Sequence, residues 1–198
     1  MASKYLNFIT PIGSAKYPRL DQPYSWNEAA QRTQPDPEGQ YECAIVMTKA
    51  DAKPLIDLIK QACEEAGIKP KNLPYKEEID RDSQEPTGNI EFKVKAYGKT
   101  KAGEKNIIRL FDAKGRPVPS KLAITSGSTI RCLGWVSVAR LGARLNLREV
   151  QIINLAEGAV SGFEAVEGGF VYEADEDDTP MMSNPVEANE ESHLGAPF

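Results

Sequence analysis

From Asn89 to Ala156 the chain alternates apolar and polar residues over four separate runs. These are "NIEFKVKAYG", "NIIRLFDA", "STIRCLGWVSVA" and "ARLNLREVQIINLA", separated by "KTKAGEK", "AKGRPVPS" and "RLG". A period of two places successive side chains on opposite faces of a sheet. The intervening Gly, Pro and charged clusters read as turns. No helical pattern falls between the runs, so a doubly wound parallel sheet fits poorly.

Upstream, "QYECAIVMT" (Gln40–Thr48) puts Tyr41, Cys43, Ile45 and Met47 on one face and reads as a further strand. Tyr5–Ile12 is a weaker strand candidate. Asp51–Gly67 is the best helix in the sequence: Leu55, Leu58, Ile59, Ala62, Cys63 and Ala66 recur at steps of three and four, Pro54 suits a first turn, and Gly67 suits a C-cap. Gly13–Gly39, rich in Pro, Gly and polar residues, reads as a long connection, and "KPKNLPYKEEIDRDSQEPTGN" as a polar loop. The expectation is a mainly β fold: five or six strands in a closed or partly closed barrel, with one helix inserted early.

The outward faces of these strands carry the functional signal. Phe92, Val94 and Ala96 alternate with Lys93, Lys95 and Tyr97; Ile108 and Leu110 with Ile107, Arg109 and Phe111; Ile130, Cys132, Val136 and Val138 with Arg131, Leu133, Trp135 and Ser137. Three strands thus each place a cation and an aromatic on one face. Cations neutralise phosphates whatever the sequence, and flat rings stack on unpaired bases. On any one strand, solvated outer residues would explain the pattern equally well. Three such strands favour a nucleic-acid surface, with Arg140, Arg144 and Arg148 extending its charge. Tyr17, Arg19, Tyr24 and Trp26 in the long first connection are further candidates, with packing in the loop or core as an equal alternative.

The net charge of −5 hides a division along the chain. All 24 Lys and Arg lie at or before Arg148 against 17 acids, giving 24 − 17 = +7, whereas 12 acids and no bases follow from Glu149 onward. Such asymmetry suggests a body that binds a polyanion, followed by an acidic tail. Glu173–Phe198 alone holds eight carboxylates, among them Asp175, Glu176, Asp177, Asp178, Glu190 and Glu191, and ends on Phe198. The division expected is a body over 1–172 and a flexible, disordered acidic tail over 173–198.

No constellation for catalysis emerges. His193 is the sole histidine, so triads and His-based metal sites lack parts. Nucleotide-cradling glycine motifs are absent, and the carboxylates of "KEEIDRDSQE" lack the glycine and spacing of a calcium loop. No cofactor is expected. Cys43, Cys63 and Cys132 are odd in number and read as reduced core thiols. No run of about 18 apolar residues exists, and no secretory leader is recognisable.

The order of segments, "PIGSAKYP", "GQYECAIVM", the helix, "FKVKAYGKTKAGEKNIIRLFDAKGRPV", "ITSGSTIRCLGWVSV", "LREVQIINLAE" and an acidic end with Phe198, resembles the single-stranded DNA-binding proteins of short-tailed bacteriophages of the T-seven type. The resemblance covers most of the chain and lies in the order of its motifs. It implies an OB-fold with a helix beside the barrel and no enzymatic activity. It also implies a role in phage DNA replication, recombination and repair in the cytoplasm of an infected bacterium, a homodimer, and partnership with a phage DNA polymerase and helicase–primase through the tail. Three other readings stay open: an RNA-binding barrel of cold-shock type, because stacking serves both polymers, a metal-dependent nuclease with scattered carboxylates, and a purely structural or assembly protein with an acidic tail.

Overall fold

A computed structural model describes residues 6–156, so the tail, its carboxylates and Phe198, and the boundary expected at residue 172 lie outside the described residues. The chain forms β1 (Leu6–Ile9), β2 (Gly13–Asn27), β3 (Arg32–Pro35), β4 (Gln40–Thr48), α1 (Lys49–Glu65), β5 (Tyr75–Ile79), β6 (Pro86–Tyr97), β7 (Arg109–Phe111), β8 (Pro117–Val118), β9 (Thr129–Ala139) and β10 (Gly142–Asn154). Five of these strands close on themselves in the order β9–β2–β4–β6–β10 and back to β9. Every pairing in the ring is antiparallel except β6–β10, which is parallel. A five-stranded Greek-key barrel of this kind is an OB-fold. β1 adds to β9 and β7 to β10, while β3, β5 and β8 each extend a neighbour as a short hairpin arm.

The inward residues anticipated from alternation make the core. Cys43, Ile45, Phe92, Val94, Ile130 and Cys132 are all fully buried, and Leu145 and Val150 of β10 join them. The three cysteines are unbridged. Burial raises the Cys43 thiol to about 12 and pushes Cys132 well above its ordinary value.

α1 turns Ala52, Leu55, Ile59, Ala62 and Cys63 inward. It lies against β1, β4, β6, β9 and β10, strands that one helix can touch together only at an open end of the barrel. Thr48 caps its start by accepting the Asp51 N–H. At its end Gly67 takes φ +66°, while the N–H groups of Gly67 and Ile68 donate to the carbonyls of Glu64 and Cys63. That is a Schellman closure, and it needs the left-handed residue that glycine supplies.

Three expectations are corrected. Gly13–Asn27 is a 15-residue strand rather than a connection, because its turn-forming residues are absorbed by breaks in register between Lys16 and Arg19 and between Arg19 and Tyr24. The polar loop before β6 contains β5, whose outward positions are charged because it is an edge. The helix begins at Lys49, so Pro54 sits in the second turn rather than the first.

One irregularity shapes the outer surface. β10 buries Leu145 and Leu147, then Val150 and Ile152, so its inward parity changes from odd to even. The change is a bulge at Arg148, where the register steps from Leu147↔Gly134 to Glu149↔Leu133. Asn146 and Arg144 face outward before the bulge; Glu149 and Gln151 do so after it. Gly134 lies opposite, and a Cβ there would stand 1.8 Å from the Asn146 carbonyl oxygen. Only glycine permits that approach.

Candidate nucleic-acid interface

Register carries the outward residues of successive strands into rows. Arg19 on β2 opposes Glu42 on β4, Glu42 opposes Lys95 on β6, Lys95 aligns with Asn146 on β10, Asn146 opposes Trp135 on β9, and Trp135 opposes Asn7 on β1. At about 4.8 Å per strand, this row runs roughly 24 Å over the curved outside of the barrel. A parallel row sets Lys16, Ala44 and Lys93 side by side, and another sets Tyr24, Gln40 and Tyr97.

The centre of the surface lies on β4, β6 and β10. The Glu42 carboxylate accepts from Lys93 at 2.7 Å and from Lys95 at 2.9 Å. Burial pulls the Glu42 carboxyl upward, but these two ammonium groups more than offset it and hold it below the ordinary value. Beside them the Tyr97 ring is 55% exposed, and the Arg144 guanidinium stacks over it at 4.3 Å. Arg144 Nε and Nη2 are buried, and no protein group accepts from them. A buried donor without an acceptor costs about 1–3 kcal/mol. The cation–π contact offsets only part of that, about 0.5–2 kcal/mol. Arg144 is thus held in place chiefly by its stack on Tyr97. Asn146 Nδ2 donates to Ser137 Oγ at 2.7 Å and to the Trp135 carbonyl at 3.2 Å, which ties the middle of β10 to β9.

A second group continues around the barrel. Trp135 and Arg131 leave the same face of β9 four residues apart, about 13 Å. Arg131 Nε donates to Gln151 Oε1 at 2.6 Å, and Arg109 pairs with Glu149. Phe111, Leu133 and Ile9 line a cleft of about 330 Å³ beside Arg131, and Ile9 is 61% exposed. An apolar floor with Arg131 at its edge can take a flat ring, although Glu149 also lines the cleft.

The sequence-derived candidates sort clearly on this frame. Lys93, Lys95, Tyr97 and Arg144 occupy the central strands, and Trp135, Arg131, Arg109 and Phe111 form the adjoining group. Arg19 joins the long row beside Glu42, and Tyr24 sits next to Gln40, its hydroxyl donating to Asp21 at 3.0 Å. Tyr17 is exposed at φ +50°, its N–H given to Ser126 Oγ, and it borders a cleft of about 370 Å³ with Lys16, Lys76, Arg81 and Lys93. Trp26 stands exposed on the β2–β3 arm, beyond the last pairing of β2 with β4. Arg140 is exposed at the tip of the β9–β10 turn, beyond both groups. Sequence reasoning missed Glu42, Asn146, Lys16 and Gln151. The alternation of "QYECAIVMT" gives the outward direction of Glu42, but its two lysine partners follow only from the β4–β6 register.

Among the described residues no cluster of His, Cys, Asp and Glu could hold a metal ion. In the acidic loop, Asp80 Oδ1 accepts from the N–H groups of Asp82 and Ser83 and from Ser83 Oγ, so this carboxylate shapes a turn.

No protein-family profile and no curated protein matches the chain. Solved structures share its OB barrel. Gp2.5, a single-stranded DNA-binding protein encoded by bacteriophage T7, superposes with a TM-score of 0.60 at 18% identity, over 86% of this chain and 100% of that one. The single-stranded DNA-binding protein of bacteriophage Enc34, truncated at its C-terminus, gives 0.53 at 16% identity, over 79% of this chain and 99% of that one. The same phage protein in complex with single-stranded DNA gives 0.51 at 15% identity, over 76% and 88%. At these identities the likeness is one of fold.

Proposed function

We propose that this protein binds single-stranded DNA with little sequence preference and acts in phage DNA replication, recombination and repair within an infected bacterium. The observation that carries the reading is the Arg144–Tyr97 stack beside Lys93 and Lys95 on the outer face of β6 and β10. Rings next to cations suit a flexible strand whose bases are free to stack. The shared barrel of two phage single-stranded DNA-binding proteins, one solved with its ligand, supports the same function. The role is binding rather than catalysis.

The proposal divides the chain into a DNA-binding body over 1–172 and an acidic segment over 173–198. The acidic segment, through its carboxylates and Phe198, recruits a phage DNA polymerase and helicase–primase, and the protein works as a homodimer. Titration of labelled oligo-dT and oligo-U across several salt concentrations is the deciding experiment. Tight, length-dependent binding of oligo-dT is expected, and a clear preference for oligo-U moves the function to RNA. Cleavage of the labelled strand with magnesium would overturn the assignment as a binding protein. Removing Phe198 should weaken the polymerase complex while leaving oligo-dT affinity unchanged.

A further inference from the structure

We infer that Glu42 is a resident counter-charge of the interface, occupying the ammonium groups that the DNA phosphates must take over, and that it thereby sets how weakly the protein holds polyanions. The inference rests on the single-stranded DNA reading above and concerns regulation of that same surface.

Glu42 sits in the middle of the longest outward row, with Arg19 on one side and Lys95 on the other. Its two oxygens divide the work: Oε1 takes Lys93 at 2.7 Å and Oε2 takes Lys95 at 2.9 Å. Both carboxylate oxygens are thus committed to the two lysines that the interface offers on β6. The side chain is 28% exposed, so it is reachable by a strand lying on the sheet. The packing of β4 does not require an acid here. Its neighbours on the same face of β4 are Gln40 and Ala44, and the core side of β4 is Tyr41, Cys43 and Ile45. A neutral residue would fit the same pleat.

A carboxylate engaging two lysines does what a phosphate does, at no cost in association entropy. A strand can use Lys93 and Lys95 only by displacing Glu42 or by sharing them with it. Each route lowers the electrostatic gain, while stacking on Tyr97 and Trp135 is untouched. The balance then rests on contacts that only unpaired bases can make, which favours single strands over bare polyanions. Specificity gained by weakening an unwanted partner is a general strategy.

The test is Glu42→Gln, compared with wild type and with Glu65→Gln on α1, which changes net charge equally away from the surface. Binding of oligo-dT is followed by fluorescence anisotropy from low to high salt. Two partly exposed ion pairs removed together should tighten binding roughly three- to tenfold at low salt. Freeing lysines for about one more phosphate should steepen the slope of log K against log salt by about 0.7. Glu65→Gln should move neither quantity appreciably. Glu42→Ala should act in the same direction as Glu42→Gln, which separates loss of charge from the shape of the amide. Unchanged or weaker binding by both Glu42 variants overturns the inference. It would mean that the carboxylate orders the lysines or accepts from a base. The proposed function fails separately, if wild type does not bind oligo-dT at all.

Discussion

Replacing Tyr97 with Leu separates stacking from charge at the centre of the surface. The ring is 55% exposed and makes one described aromatic contact, the Arg144 guanidinium at 4.3 Å. A stacked base is worth roughly 1–3 kcal/mol, so losing the ring should raise Kd for oligo-dT about 5- to 150-fold. Where the base lands within that range reports how it binds. A base on the open face of the ring leaves Arg144 in place, and the full stacking term is lost. A base that displaces Arg144 has already given up about 0.5–2 kcal/mol of cation–π energy, and the loss is correspondingly smaller. Tyr97→Phe should bind like wild type, because stacking needs no hydroxyl. Folding should barely change, since the core face of β6 is carried by Phe92, Val94 and Ala96. The assay is anisotropy at four or more salt concentrations, alongside a thermal melt. Because tyrosine carries no charge, the salt slope should stay the same while the intercept falls. An unaltered Kd for Tyr97→Leu refutes the stacking argument. A slope shift of about 0.7, one phosphate contact, would show instead that the ring acts by positioning Arg144.

Two further predictions concern the scaffold. Gly134→Ala places a methyl 1.8 Å from the Asn146 carbonyl oxygen and 3.1 Å from Phe8, so β9 and β10 must separate where they carry Trp135 and Asn146. A loss of about 2–4 kcal/mol is expected, visible as a melting temperature lower by roughly 5–15 °C, and a melt within 2 °C of wild type would contradict the close approach. The second is acid sensitivity. Glu42 and Glu78 both have folded pKa values held below the ordinary 4.5, against the opposing pull of burial, Glu42 by Lys93 and Lys95 and Glu78 by Thr87, Lys16 and Asn89. A depressed carboxyl contributes stability that is present above its unfolded pKa and lost as pH falls through the folded one. Urea midpoints should therefore be level from pH 7 to about 5 and fall below about 4.5, with a smaller fall for Glu42→Gln.

Much of the barrel was legible because burial on one face imposes a period of two that survives in the residues. β4, β6 and β9 follow their alternation closely, and β10 does so on each side of its bulge. The Gly13–Gly39 stretch was not legible, since its Pro and Gly residues carry the same signal in a loop as in a strand that breaks register twice. Charged β5 failed for a different reason: an edge strand need not bury a face, so no period is written into it. For the site, direction was readable and proximity was not. That Lys95 and Tyr97 face outward follows from Val94 and Ala96 facing inward. That Lys95 aligns with Asn146, 51 positions later, follows only from the parallel pairing that closes the ring.

The bulge at Arg148 explains how the second group's two arginines find partners on β10. Without an extra residue, β10 would have continued its odd parity, turning Glu149 and Gln151 inward and Val150 and Ile152 outward. Two polar side chains would then have been buried without partners, at about 1–3 kcal/mol each, and two aliphatic ones exposed. The inserted residue restores the apolar residues to the core and delivers Glu149 to Arg109 and Gln151 to Arg131. The dipeptide Arg148–Glu149, two adjacent charges between Leu147 and Val150, is the trace of this in the sequence, because strict alternation cannot accommodate it. The bulge also demands the glycine opposite, so Gly134 and Arg148 are two parts of one device. Core packing thus dictates the change of parity, and that change gives Arg109 and Arg131 their partners on the outer surface.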